Sequence, residues 1–254
     1  MPQTTILITG ANRGLGLGLL TRYLSLPSHT LIACVRSPTH PTSLSLTTLP
    51  RGPNSTLIVL KLDTSISSDA AAAVREIREK YGVAHLDVVI AAAGICTACP
   101  KVAEVDIEEL KGHMDINLHA VVALYQATRE MLKESKRKGG PMFVAIGSTA
   151  GCLGSQPNMP NGLHGPSKAA LNWLTIRINA EDEWLNGFVM VPGWVKTDLG
   201  IAGAEMLGMD EAATEKMMIG VDESCDGMVR VLGEAMKETH VGRMVSCRGR
   251  VMGW

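Results

Sequence analysis

Thr4-Thr5-Ile6-Leu7-Ile8-Thr9-Gly10-Ala11-Asn12-Arg13-Gly14-Leu15-Gly16 is the stretch that decides the fold of this chain. The β-branched and apolar run Thr4 to Thr9 reads as a buried strand. Three glycines follow, at positions 10, 14 and 16, and then an apolar helical pattern that reaches Leu26. A strand, a glycine-rich turn and a helix start together make a phosphate site. Gly10 permits the tight turn, Gly14 and Gly16 let backbone approach a ligand, and the helix N-terminus supplies free N–H groups. A lone glycine triplet is weak, but one set between a strand and a helix predicts a dinucleotide-binding α/β chain.

Outward from that turn, Thr30 to Val35 reads as the second strand and ends at Arg36. No carboxylate occurs between Met1 and Lys61. A site for NAD more often places an acidic residue there, on the ribose 2′-hydroxyl. Arg36 and Arg13 instead offer two guanidinium groups for a 2′-phosphate, which favours NADPH/NADP+ over NADH. Ser37 to Ser55 is rich in Pro, Ser and Thr and predicts an irregular surface crossover where a helix would ordinarily stand. Strands are expected at Leu57 to Leu62, Leu86 to Ala91, Phe143 to Ile146, Phe188 to Val191 and Gly242 to Ser246. Helices are expected at Ser68 to Tyr81, Glu108 to Ser135, from His164 onward, and at Val221 to Lys237. The alternation predicts a single α/β domain over residues 1–254, a Rossmann-type doubly wound sheet of seven parallel strands in the order 3-2-1-4-5-6-7.

Composition narrows the function. With 46% hydrophobic residues the 254-residue chain can fill one large core. A formal charge of −1 gives no electrostatic case for nucleic acid or an anionic membrane, so no partner of that kind is expected. The chain enters its first strand at Thr4 with no basic-then-apolar leader, and nowhere do 18 apolar residues run together. A cytoplasmic protein is expected. The C-x-x-C pair Cys96 and Cys99 and the four other cysteines read as free thiols of a reducing compartment rather than a redox centre. His113 and His119 have no metal-like partner and read as packed or exposed helix residues, so no metal is expected. Fourteen Met against two Phe and three Tyr predict a core and pocket wall of Met and aliphatic side chains.

The stretch most charged with chemistry runs from Ser148 to Lys168. Ser148 stands just after an apolar strand pattern. His164 and Lys168, four residues apart, share one face at the start of a long helix and point back toward that strand's end. This wording resembles the short-chain dehydrogenase/reductase family, in which a Ser at the end of the fifth strand is followed by Tyr-x-x-x-Lys on the next helix. Here His164 occupies the Tyr position, while Gly165, Ser167, Lys168, Ala169, Ala170 and Asn172 keep the family's usual residues. The chain's tyrosines, Tyr23, Tyr81 and Tyr125, all lie elsewhere.

The resemblance extends over nearly the whole chain. Thr9 to Gly16 is similar to the family's T-G-x-x-x-G-x-G, which implies cofactor contacts from Gly10, Asn12, Arg13, Gly14, Leu15 and Gly16. Asp63 matches the residue that contacts the adenine. Ala92 and Gly94 fall in the family's Asn-Ala-Gly, with Ala92 replacing the asparagine that braces the central strands. Asn117 matches the catalytic Asn that helps hold a water near the lysine. Pro192-Gly193-Trp194-Val195-Lys196-Thr197 is similar to P-G-x-V-x-T, which implies that Thr197 and the backbone of Val195 face the nicotinamide carboxamide. Residues from about 198 to 220, with Met206, Met209, Met217 and Met218, would be a mobile segment over the substrate. The wording PGWVKTDLG is closest to fungal natural-product reductases of the norsolorinic acid ketoreductase type. Family members associate through the helices at Asn117 to Ser135 and His164 to Trp184, which implies a homodimer or homotetramer, with Leu171, Leu174 and Trp184 suited to a packed face.

In the family's reaction a hydride passes from the nicotinamide to a carbonyl carbon while Ser holds the oxygen and Tyr gives it a proton. The far nitrogen of an imidazole reaches roughly 2 Å less far from the backbone than a phenol oxygen, and donation needs an approach of about 3 Å. Beside the ammonium of Lys168, His164 is also expected to be neutral. Three functions follow. The chain is an NADPH-dependent reductase of a carbonyl or of an imine or iminium in natural-product metabolism, with Ser148, His164, Lys168 and Asn117 as its catalytic set. Alternatively, it is a non-redox cyclase, isomerase or pericyclase of Diels–Alder type in the same cleft. Or it is a non-enzymatic NADP-binding scaffold.

Overall fold

The computed structural model describes residues 3–156 and 158–254. Strand β1 (Thr4–Thr9) leads through the glycine turn into α1 (Gly14–Ser25) and then β2 (His29–Val35). The crossover that follows holds only one helical turn, α2 (Pro41–Leu44), and a 3-10 turn at Ser45–Thr48, as its Pro- and Ser-rich composition suggests. Next come β3 (Thr56–Lys61), α3 (Asp69–Glu79) and β4 (Val88–Ala91). The helix expected from Glu108 to Ser135 is α4 (Ile107–Met114) joined to α5 (Ala120–Lys133) by a π turn at Asp115–His119. Asp106 starts this rod by accepting the Glu108 and Glu109 amides. Then follow β5 (Met142–Ile146), α6 (His164–Glu181), β6 (Asn186–Val191), α7 (Asp198–Met206) and α8 (Glu211–Met217). Helices α9 (Val221–Glu234) and α10 (Lys237–His240) and strands β7 (Met244–Ser246) and β8 (Val251–Met252) complete the chain.

The sheet runs β3-β2-β1-β4-β5-β6-β7-β8. Its first seven strands are parallel and in the expected order. An eighth strand corrects the expectation of seven: β8 turns back through Gly249, at φ +82°, and pairs antiparallel with β7. Two residues are too short a run to announce a strand by periodicity.

Helices cover both faces of the sheet, and alternate strand residues go to opposite sides. Ile6, Ile8, Leu31, Ala33, Val144 and Met190 pack with Leu19 and Leu20 of α1 and Met228 and Leu232 of α9. Leu7, Ile32, Val89 and Ala145 pack with Ala73 of α3, Leu124 of α5 and Leu171 of α6. The chain's two phenylalanines are fully buried on opposite faces, Phe188 in the first layer and Phe143 in the second. Truncating either to Ala would cost roughly 3–5 kcal/mol.

The apolar face suggested for self-association is differently used. Leu171 is 1% exposed and belongs to the chain's own core, and Leu174 packs against that core. Trp184 lies under the cations of Arg129 and Lys133. The large apolar residues that α6 turns outward are Trp173, 64% exposed, and Ile176, 38% exposed. No helix among the described residues is long and apolar enough to cross a membrane.

Candidate active site

The C-terminal ends of β1, β4, β5 and β6 converge on one cleft, and each sequence motif delivers its residues there. Gly10 has φ +63°, a conformation that favours glycine, and a Cβ on it would press against Ala93. On Gly16 a Cβ would overlap the Gly10 carbonyl, so the turn closes only with glycine there. No side chain caps α1, so its first-turn N–H groups are free to receive an anion. Across the cleft, Thr197 comes within 3.4 Å of where a Gly14 Cβ would stand. The first motif and the one after β6 therefore face each other, as a cofactor lying across both would require.

The other candidates for cofactor contact are disposed as follows. Asn12 donates to Thr42 Oγ1 at 2.7 Å and to Ser43 Oγ at 3.3 Å, which ties the turn to the irregular crossover. Leu15 packs on the core beside Cys225, whose thiol meets its carbonyl. Arg13 and Arg36 are exposed, and neither side chain forms an ion pair among the described residues. Asp63 Oδ1 accepts from the Ser65 amide and hydroxyl at 3.0 and 2.7 Å, so its carboxylate already shapes its own turn. Pro192 gives its carbonyl to Ser224 Oγ, and Gly193 has φ +86°. Val195 forms a bridge with Ile219. Thr197 caps α7 by accepting the Gly200 amide at 3.1 Å. Of the four methionines expected over the substrate, Met218 is buried, Met209 is half-buried, and Met206 and Met217 are exposed.

Bracing at Ala92 comes from a residue with no assigned part, Thr9. Its Oγ1 accepts the Ala92 amide at 3.0 Å and the Ala93 amide at 3.1 Å. The hydroxyl thus joins the end of β1 to the turn after β4. Its position just before the glycine turn was the one available signal.

The chemistry gathers around Ile95. Asn117, fully buried in the π turn, accepts the Ile95 amide on Oδ1 and donates through Nδ2 to the Ile95 carbonyl. Its second Nδ2 hydrogen goes to Ser167 Oγ at 3.0 Å. Both side-chain donors are thus spent, so Asn117 acts here as a clamp on Ile95. A π turn is how a helix reaims one residue inward without breaking. His164 Nδ1 lies 3.2 Å from the same Ile95 carbonyl. The order of causes differs from expectation: burial first and Lys168 second push His164 down to about 4.

Lys168 is buried, and its Nζ donates to the carbonyl of Ile146, the last residue of β5, at 2.8 Å. Burial pushes it down to about 8, which leaves it mostly an ammonium at neutral pH. Gly94 leaves room for it: a Cβ there would stand 3.7 Å from Nζ and 3.1 Å from Asn117 Oδ1. Ser148, two residues past β5, is extended and half-buried. Its Oγ accepts from the Ala150 amide at 3.1 Å, which leaves its O–H free to donate.

The remaining titratable groups near the cleft are satisfied or unbonded. His113 is buried, with Nδ1 on the Glu109 carbonyl and Nε2 accepting the Thr97 amide. His119 is exposed and pairs with Asp115. All six cysteines are free, and the sulfurs of Cys96 and Cys99 lie 3.9 Å apart. Burial pushes the Cys96 thiol up to about 12. No cluster of potential metal ligands occurs among the described residues.

Comparison with known proteins agrees with this architecture. The family model described as short chain dehydrogenase matches residues 4–207. The chain is 38% identical over 246 residues to the norsolorinic acid ketoreductase of Dothistroma septosporum, covering 96% of this chain and 89% of that protein. It is likewise 38% identical over 247 residues to the norsolorinic acid ketoreductase of Aspergillus parasiticus, with 96% and 88% covered. Among solved structures, the NADPH-bound carbonyl reductase from chicken fatty liver superposes with a TM-score of 0.85 at 28% identity, covering 100% of both chains.

Proposed function

The chain belongs to the short-chain dehydrogenase family, and from that premise we propose that it is an NADPH-dependent reductase of a carbonyl or imine group in natural-product metabolism. The observation that carries the reading is the buried Lys168 ammonium, fixed on the carbonyl of Ile146 at the end of β5, two residues from Ser148. The ketoreductase relatives and the NADPH-bound carbonyl reductase support it.

The residues present fit a dinucleotide. Glycine-only backbone approaches the α1 N-terminus, Thr197 stands opposite Gly14, and Arg13 and Arg36 are two exposed cations for a 2′-phosphate. When bound, NADPH supplies the hydride. Gly10, Gly14, Gly16 and the α1 amides would hold its pyrophosphate, and Val195 and Thr197 its carboxamide. Ser148 donates its free O–H to the carbonyl oxygen and fixes the face presented. His164, neutral throughout the physiological range, has no acidic proton to give. Lys168, pushed down toward neutrality, is the group in the cleft that holds a mobile proton. It passes that proton to the oxygen through water, with its position kept by the Ile146 carbonyl and by the space at Gly94. An imine that enters already protonated needs no such donor.

The neutral His164 also favours a second reading, a cyclase or isomerase that uses the cleft without redox chemistry. Both are tested by incubating the purified protein with NADPH and candidate ketones and imines while following reduced-cofactor absorbance and product mass together. Consumption matched to product supports reduction. Product without consumption supports the second reading, and neither, with NADPH still bound, leaves a binding scaffold. We further propose a homo-oligomer through α5 and α6, with Trp173 and Ile176 as the apolar contacts, to be checked by light scattering.

A further inference from the structure

We infer that His164 is a hydrogen-bond acceptor that selects carbonyl substrates carrying a hydroxyl beside the carbonyl to be reduced. This deepens the reductase reading and rests on it. The argument begins at the other ring nitrogen. The partner of Nδ1 is the Ile95 carbonyl, which has lone pairs and no hydrogen, so Nδ1 must carry the ring proton. That carbonyl cannot turn away, because Asn117 bonds both the N–H and the C=O of Ile95. A neutral imidazole has one N–H, and so Nε2 presents a lone pair. Among the described residues Nε2 meets no protein donor, and the ring stays partly exposed.

A bare ketone would bring only oxygen lone pairs to this nitrogen, and reduction would worsen the repulsion as charge grows on the oxygen. Leaving a desolvated acceptor unpaired weakens binding. A hydroxyl on a neighbouring carbon removes that conflict: the carbonyl accepts from Ser148, and the hydroxyl donates to His164. A protonated imine would also donate, but it would enter beside the Lys168 ammonium, and no carboxylate pairs with Lys168 or His164 among the described residues. The surroundings favour a neutral donor.

The test uses the NADPH complex of the whole chain with ring-nitrogen-labelled histidine, followed by nitrogen NMR. The His164 signals are identified by their loss in H164N or, should that variant not fold, in H164Q. The expected result is a proton on Nδ1, none on Nε2, and an Nε2 shift on adding benzoin but not benzoin methyl ether. A proton on Nε2, an equal response to both compounds, or no response to either overturns the inference. H164Q, which places an amide of mixed character there, is expected to lose a preference for benzoin of about tenfold. If the signals behave as expected while neither compound consumes NADPH, the acceptor assignment stands and the reductase reading falls.

Discussion

Asn117 holds Ile95 by both of its backbone polar groups, accepting from the amide at 2.9 Å and donating to the carbonyl at 3.0 Å. Asn117 itself is wholly buried, and Ile95 half-buried. Asn117→Ala would leave the Ile95 amide without its partner and take one partner each from the Ile95 carbonyl and Ser167, so the expected loss is about 2–4 kcal/mol. Denaturant unfolding measures it. A loss below about 0.5 kcal/mol would mean that water replaces the side chain and that Ile95 is not held by it.

His164 makes stability pH-dependent with a definite sign. Its folded value of about 4 lies below the ordinary 6.5, so at intermediate pH the unfolded chain binds the proton that the folded chain refuses. The contribution is fully present above about 6.5 and is lost as pH falls toward about 4. His164→Phe removes this term. The difference between wild-type and variant unfolding free energies should therefore change over that window and be flat above it; a flat difference throughout would show that the imidazole is not desolvated.

Lys168 separates stability from activity. Burying its charge is costly at neutral pH, while its bond to Ile146 offsets part of that cost. Lys168→Met is expected to move the melting midpoint little but to lower NADPH consumption ~10²-fold or more. In the wild type, carbonyl reduction should decline as pH rises through about 8, where the ammonium is lost. A rate that is level from about 7 to 10 would remove Lys168 as the proton source.

Arg36, exposed at the end of β2, sets the cofactor test. Arg36→Asp replaces a cation with an anion, so NADPH binding should weaken ~10-fold or more while NADH binding changes little. Calorimetric titration with both nucleotides decides it. Equal losses would mean that Arg36 does not meet the 2′-phosphate.

Most of the seven parallel strands were readable because they are buried on both faces and so appear as unbroken apolar runs, such as Ile6 to Ile8 or Phe143 to Ile146, while the outermost, β3, keeps Thr56 and Lys61 exposed. The glycine turn was readable because its backbone geometry admits few residues. What escaped was carried by backbone groups or by short pairings. Nothing in the letters marks the Ile95 carbonyl as the common partner of Asn117 and His164, since every residue has such a carbonyl. Leu171 and Leu174 look like an outward apolar face until the pitch of α6 is fixed, and the helix then turns Trp173 and Ile176 outward instead. Thr9 read as one more strand residue, although its hydroxyl braces the neighbouring strand.

The added strand β8 has a mechanical consequence. Beyond it the Trp254 carbonyl accepts the Gly154 amide at 2.9 Å, and the Gly253 carbonyl meets the Cys152 thiol. The last residues of the sequence thus moor the loop that leaves Ser148, and they shield the outer rim of β7 from pairing with another molecule. Loss of β8 and the two residues after it would release the loop beside the chemistry. The pairing at the sheet's outer edge is therefore part of what holds the active-site loop in place.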